Sequence, residues 1–267
     1  MKAVSRQFLV SDLHGCFDAF LAALEAAGFS FERGDRLRIL GDAFDRGPQS
    51  REIYEWICAQ EEKHPGQIAW QMGNHESMFI WRLEGKDKYG DFFLNGGWAT
   101  VKSFLPDRPG AANLHPRTDG AAQEYFRRHM LQRYPDLLPR LRRLPLLHEE
   151  EDALFVHAGV NPAKPLRKQS ENDLLWIREE WILAPYSGKT VVFGHTPIVN
   201  LQGHNLHPWA QPWFRPHPVI ANKVGIDGGA AFEGGAILLV EWPSLSFVRI
   251  PTSGFRLLSE STNYPME

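Results

Sequence analysis

Thiols are scarce in this chain: Cys16 and Cys58 are its only two cysteines. Each falls in a segment that reads as helical, so a disulfide framework is excluded and both are expected as buried, reduced thiols. Long apolar runs are missing as well. Nothing approaches the ~20 uninterrupted apolar residues that span a bilayer, and Met1 to Arg6 lead into the first strand without an apolar signal core. A cytoplasmic protein with no membrane partner is the expectation. An excess of one charge is also absent: 29 Lys and Arg stand against 32 Asp and Glu, a formal net charge of -3. No basic surface for a nucleic acid is implied, and any phosphate binding must be local. Finally, no Gly-x-Gly-x-x-Gly follows the first strand, which disfavours a dinucleotide-dependent oxidoreductase.

What is present fits one α/β domain: 267 residues, 43% hydrophobic and 23% charged, suffice for a full core. Phe8 to Val10 form a short buried strand, followed by a helix from about Cys16 to Ala27 whose Phe17, Phe20, Leu21 and Leu24 share one face. A second strand, Leu37 to Leu40, precedes a helix that begins near Pro48 and Ser50 and buries Ile53, Trp56 and Ile57. A third, Ile68 to Met72, leads into a helix carrying Met78, Phe79 and Trp81. This βαβαβα order implies a parallel sheet, in which ligands gather beyond the carboxyl ends of the strands. From about residue 84 to 151 the pattern loosens into a partly helical insertion, with a turn at Asn95-Gly96-Gly97 and a helix from Gly120 through Tyr134. Arg127, Arg128, Arg140, Arg142 and Arg143 there read as solvated helix faces. Near the C-terminus, Val224–Asp227, Ala236–Glu241 and Leu245–Ile250 read as antiparallel strands of a second sheet.

Five polar motifs each follow an apolar run of strand type: Asp12-Leu13-His14-Gly15, Gly41-Asp42-Ala43-Phe44-Asp45-Arg46-Gly47, Gly73-Asn74-His75-Glu76, His157-Ala158-Gly159 and Gly194-His195-Thr196-Pro197. Any one alone reads as a turn, a helix cap or a core histidine. Together, Asp12, His14, Asp42, Asn74, His157 and His195 are oxygen and imidazole donors without a thiolate, which suits Mn²⁺, Fe²⁺ or Zn²⁺ better than a closed structural zinc. Six donors exceed what one catalytic ion needs. Two ions ~3.5–4 Å apart, bridged by one carboxylate, would use them all.

These motifs, in this order from residue 12 to residue 197, resemble the signature of the metallophosphoesterase superfamily. Within it they are most similar to the bacterial and phage serine/threonine protein phosphatases and to the symmetrical diadenosine tetraphosphatases. The resemblance implies a calcineurin-like α/β/β/α sandwich, two mixed sheets flanked by helices. It implies two divalent ions, Mn²⁺ foremost, one on Asp12, His14 and Asp42 and the other on Asp42, Asn74, His157 and His195. It further implies in-line attack on phosphorus by a hydroxide bridging the ions, with His75 protonating the leaving group, Asp45 orienting His75, and Arg46 holding phosphate oxygens. Arg178, in Trp176-Ile177-Arg178, matches a further phosphate arginine.

The substrate expected on this reading is phosphoserine or phosphothreonine in a protein, because Asn74-His75-Glu76 and the intact Asp42-x-x-Asp45-Arg46-Gly47 look more like the protein-phosphatase branch than the tetraphosphatase one, whose motif usually ends in aspartate. The alternative is a dinucleoside tetraphosphate cleaved to two ADP, or another nucleotide. A non-catalytic metal-binding scaffold would tolerate loss of His75 or Arg46, and neither is lost. Glu76 is read as structural, Asp227 as a turn residue bracing a strand end. The loop holding His204, His207, His217, Trp209, Trp213, Phe214 and Arg215 is expected to pack near His195 and to form one wall of the cleft. The oligomeric state is left open.

Overall fold

The computed structural model describes residues 5–87, 90–105, 120–202, 217–220 and 222–252. Strands β1 (Gln7–Val10), β2 (Arg36–Ile39) and β3 (Ile68–Trp70) are joined by helices α1 (Phe17–Ala26) and α2 (Ser50–Lys63). Because each connection crosses over through a helix, the three strands run parallel, with Val10 beside Ile39 and Ile39 beside Trp70. The chain returns to this sheet at its far end. β9 (Ala236–Trp242) lies antiparallel to β1, and β10 (Phe247–Pro251) antiparallel to β9, giving the order β10-β9-β1-β2-β3.

A second sheet holds β4 (Leu147–Glu149), β5 (Ala153–Val156), β6 (Thr190–Phe193), β7 (His217–Ile220) and β8 (Lys223–Gly225), in the order β4-β5-β6-β8-β7. β5, β6 and β8 are parallel to one another, while β4 and β7 pair antiparallel at the edges. The C-terminal strands thus depart from expectation: β8 runs parallel to β6, and β9 and β10 complete the first sheet. Apolar patterning reports that a strand has two faces to bury; it carries no information about which neighbour it pairs with.

Strand alternation divides the interior in two. Phe8 and Val10 of β1, with Ile237 and Leu239 of β9, face a core built with α1, α2 and α3 (Asn74–Leu83). Leu9 of β1, with Leu238 and Val240 of β9, points to the opposite side, into a core shared with Phe155, Val192 and Phe193 of the second sheet. The result is a sandwich of two mixed sheets flanked by helices. Helices α4 (Asp91–Leu94), α5 (Gly97–Phe104), α6 (Gly120–Arg133) and α7 (Leu137–Leu141) extend the first core, into which they send Phe92, Phe104, Met130 and Leu141. The last three are α8 (Glu171–Trp176), α9 (Glu179–Ile182) and α10 (Ile198–Gln202).

Cys16 is buried just ahead of α1, Cys58 is partly buried in α2, and both are free thiols. Arg127 pairs with Glu124, Arg140 with Glu61 and Arg142 with Glu84, so these cations are matched by carboxylates on the surface. No described helix is long and apolar enough to cross a membrane.

Candidate metal and phosphate site

The loops after β1, β2 and β3 meet those after β5 and β6 at one end of the sandwich, and their backbone there is strained. Among the described residues, the non-glycine positions with positive φ are Asp12, His14, Asp42, Asp45, Arg46, His195 and, away from this region, Leu245. Such conformations cost ~1–3 kcal/mol each and persist only where the surroundings over-determine them. The surroundings here do. Asp12 N–H donates to Gly41 O at 3.2 Å and His14 N–H to Asp42 O at 2.9 Å, tying the first loop to the second. Glu76, fully buried at the start of α3, accepts N–H bonds from Asp42, Ala43 and Gly73 at 2.8, 2.8 and 2.9 Å, tying the second to the third. Two glycines permit the close approach. A Cβ at Gly41, whose φ is +84°, would meet the backbone of Gly73 and the ring of His157, and one at Gly194 would strike Ser11 and Asp12.

Each aspartate commits one oxygen to backbone and presents the other. Asp42 Oδ1 accepts the His75 N–H at 3.0 Å, leaving Oδ2 at 3.8 Å from His14 Nε2, 3.8 Å from His75 Nε2 and 3.4 Å from His157 Nε2. Asp12 Oδ2 accepts the His195 N–H at 2.9 Å and the Ser11 hydroxyl, leaving Oδ1 at 3.9 Å from His14 Nε2. The histidines are oriented by the same logic. Nδ1 of His14 lies 2.8 Å from Phe44 O and Nδ1 of His157 lies 2.9 Å from Leu40 O. A carbonyl only accepts, so these Nδ1 atoms carry the proton and each Nε2 offers a lone pair.

Around His157 Nε2 stand Asn74 Oδ1 at 2.8 Å, His195 Nδ1 at 3.2 Å and Asp42 Oδ2 at 3.4 Å. Burial holds His14, His75, His157 and His195 below the usual imidazole range, reinforced at His14 and His75 by Arg46 and at His195 by His157 and Arg178. Burial, with Asp12 and Glu76 beside it, drives the Asp42 carboxyl well above its ordinary value. Neutral imidazoles and a carboxylate costly to ionise, with lone pairs converging, are what a divalent cation relieves. The residues fit such an ion. Two donor groups share Asp42: His14, Asp42 and His75 form one, Asp42, His157 and His195 the other.

The remaining anticipated residues lie at the same centre. His75 Nδ1 is 2.7 Å from Asp45 Oδ2, and its buried Nε2 has no hydrogen-bond partner among the described residues. Arg46 Nη1 donates to His14 Nε2 at 2.6 Å, while its guanidinium carbon sits 5.5 Å from the centre of the Phe232 ring. Arg178 Nη1 donates to His195 O at 2.9 Å and Thr196 Oγ1 at 3.0 Å. Asp227 is buried and accepts the Gly229 N–H at 2.7 Å.

Sequence reasoning did not pick out Ser11, Thr100, Thr196 or Phe232. Ser11 adjoins the first motif and Thr196 lies within the fifth, though neither was assigned a role. Thr100 lies in the loosely patterned region and gives no such signal. Residues 203–216, with His204, His207, Trp209, Trp213, Phe214 and Arg215, lie outside the described residues, and only the backbone of His217 is described, in β7.

Residues 6–199 match the model of the calcineurin-like phosphoesterase family. Over 96% of its length the chain is 24% identical to a bis(5'-nucleosyl)-tetraphosphatase PrpE, asymmetrical type, from Halalkalibacterium halodurans, covering 98% of that protein. To the protein of the same description from Bacillus velezensis it is 26% identical, with 92% of each chain covered. Among solved structures, a candidate diadenosine tetraphosphatase superposes with a TM-score of 0.61 at 17% identity, over 94% of this chain and 95% of the other. At that identity the likeness concerns the fold alone. The family match, the two-sheet sandwich and the donor cluster at the ends of its strands agree, and the chain belongs to the calcineurin-like phosphoesterases.

Proposed function

We propose that this chain is a divalent-metal-dependent phosphohydrolase whose substrate is a dinucleoside polyphosphate, cleaved asymmetrically. The observation that carries the chemistry is the buried donor cluster centred on Asp42, with two arginines and the His75–Asp45 pair at its edge. Asp12, His14 and Asp42 would hold one ion, which would take the His14 Nε2 lone pair that here accepts from Arg46, and Asp42, Asn74, His157 and His195 the other. Mn²⁺ suits this oxygen and imidazole set, with Fe²⁺ or Zn²⁺ as alternatives. Such ions supply positive charge for phosphoryl oxygens and acidify water enough for hydroxide to be available near neutral pH.

The protein's own groups do the rest. Arg46 and Arg178 offer guanidinium donors to the phosphoryl oxygens, whose charge spreads in a loose transition state. His75 presents Nε2 to the departing oxygen, while Asp45 holds Nδ1 and steadies the imidazolium that this role requires. Burial favours a neutral His75, and a bound phosphoryl group offsets that preference with its negative charge.

The choice of a dinucleotide over a phosphoprotein is supported by the similarity to PrpE proteins along nearly the whole chain. Glu76 does not speak against it. That residue motivated the phosphoprotein reading, yet its carboxylate is spent on three backbone N–H bonds and reaches no substrate surface. The test is to strip the protein of metal, restore Mn²⁺, and compare kcat/KM on diadenosine tetraphosphate and on phosphoserine and phosphothreonine peptides. Metal-dependent release of ATP and AMP is expected. Two ADP as products, or a preference for the peptides, overturns the substrate reading; full activity without metal overturns the chemistry.

A further inference from the structure

Behind the His75–Asp45 pair stands a residue from the region that the sequence pattern left loose. Thr100, on α5, is fully buried. Its Oγ1 donates to Asp45 Oδ1 at 2.6 Å, accepts the Asp45 N–H at 2.9 Å and lies 3.0 Å from Ser50 Oγ. A hydroxyl has one proton and two lone pairs. With the proton on Asp45 Oδ1 and one lone pair on Asp45 N–H, the other is left for the Ser50 O–H. All the bonding capacity of Thr100 is therefore used, most of it on one aspartate.

We infer that Thr100 is a positioning residue for His75, acting through Asp45. Since the carboxylate receives the Thr100 proton on Oδ1, the partner of His75 is Oδ2, and any proton shared within the pair lies on the line from Oδ2 to Nδ1. That fixes the ring so that Nε2 faces Asp42 Oδ2, 3.8 Å away, and the phosphoryl site. The same segment holds the loop itself. Asp45 and Arg46 are consecutive left-handed residues, with φ of 70° and 69°, and Arg46 N–H donates to Gly96 O at 3.1 Å, directly before α5. α5 thus clamps the aspartate that orients the acid and the arginine that meets phosphate, without itself touching the reacting atoms. Burial pushes the Asp45 carboxyl well above its ordinary range, with the Thr100 hydrogen bond opposing that rise, as expected where a hydroxyl stabilises the ionised form.

The inference rests on the proposed role of His75, so its test has an arm that needs no turnover. In the proton NMR spectrum of the wild-type protein, a Thr100 hydroxyl bound to a buried carboxylate should exchange slowly, and the His75 Nδ1 proton should lie far downfield. Thr100→Val should displace or broaden the His75 signal, and Thr100→Ser should restore it. In the kinetic arm, Thr100→Val should lower kcat on phenyl phosphate by ~10–100-fold, the usual effect of removing a partner that orients a catalytic ligand. KM and metal content should hold. On 2,4-dinitrophenyl phosphate, whose leaving group needs no proton, the loss should shrink to under ~3-fold. A rapidly exchanging Thr100 hydroxyl in the wild type overturns the inference, whether or not the variant folds. So does a His75 signal indifferent to Thr100→Val, or an equal loss on both esters. Failure of every substrate to turn over in the wild type would instead sink the functional reading and leave the spectroscopic result to decide on Thr100.

Discussion

Nδ1 of His75 and Oδ2 of Asp45 lie 2.7 Å apart, the histidine at the start of α3 and the aspartate in the loop after β2. Exchanging Asp45 for Asn keeps the shape but removes the charge that steadies an imidazolium. Asp45→Asn should lower kcat on poor leaving groups by ~10²-fold or more, with metal content unchanged by elemental analysis. A variant that loses its metal instead would place Asp45 among the donors.

Asp42 is the one carboxylate common to both donor groups. Asp42→Asn should therefore reduce metal content at both positions and abolish most of the activity, with no rescue by Mn²⁺ at concentrations that saturate the wild type. Loss of a single ion, read by anomalous scattering, would argue against the bridge.

Glu76 accepts N–H bonds from Asp42, Ala43 and Gly73. In Glu76→Gln one oxygen becomes an amide N–H₂ facing donors, and about 2–3 kcal/mol of stability should be lost. Denaturant unfolding measures this. The ratio of dinucleotide to phosphopeptide hydrolysis should stay as in the wild type, and a shift in that ratio would show that the position selects substrates after all.

Arg178 hangs from His195 O and Thr196 Oγ1 by one nitrogen, and on the proposed reading the rest of its fork serves the substrate. Arg178→Lys cannot reproduce both contacts. A loss in kcat/KM of ~10–100-fold is expected, the equivalent of one or two charge-assisted hydrogen bonds. Retention of wild-type kcat/KM in the lysine variant would remove Arg178 from the phosphate site.

Asp173, in the first turn of α8, helps to hold the helix that leads to Arg178. Burial alone would raise its carboxyl, yet hydrogen bonds from Lys164, Ser170 and Asn161 hold it far below the usual carboxylate range. A depressed folded-state value means that the unfolded chain takes up the proton first as pH falls. The stabilisation is complete above the unfolded value of ~4 and is lost as pH drops through the lower, folded one. Asp173→Asn should be less stable than the wild type at pH 7, by about 1 kcal/mol as for loss of a helix cap. The gap should narrow as pH falls below ~4, as thermal melts across pH will show; a gap as large at pH 2 as at pH 7 would exclude the linkage.

The motif residues were legible because chemistry forced rare types to recur after apolar runs, and the structure gathers Asp12, His14, Asp42, Asn74, His75, His157 and His195 in one buried cluster. The first three strands were legible because alternating βα units leave little choice of topology. The destination of β9 and β10 was not, since Leu238 and Leu239 look alike in sequence although they face different cores. Thr100 was hidden for a related reason. A threonine in an irregular stretch has no periodicity to betray it, and its contact with Asp45 spans 55 positions along the chain.

The donors are divided between the sheets: Asp12, His14, Asp42 and Asn74 follow strands of the first, His157 and His195 strands of the second. During synthesis from the N-terminus the first four emerge together, and the fifth and sixth follow much later. A nascent chain halted before residue 195 therefore lacks a complete cluster, however well its first sheet has formed. Even then that sheet still lacks its outer strands, which come from residues 236–251. On the proposed division the donors of the first ion, Asp12, His14 and Asp42, are in place early, while those of the second are complete only once His195 has emerged and the two sheets have docked, so its capture would be the late step and the one that reports assembly.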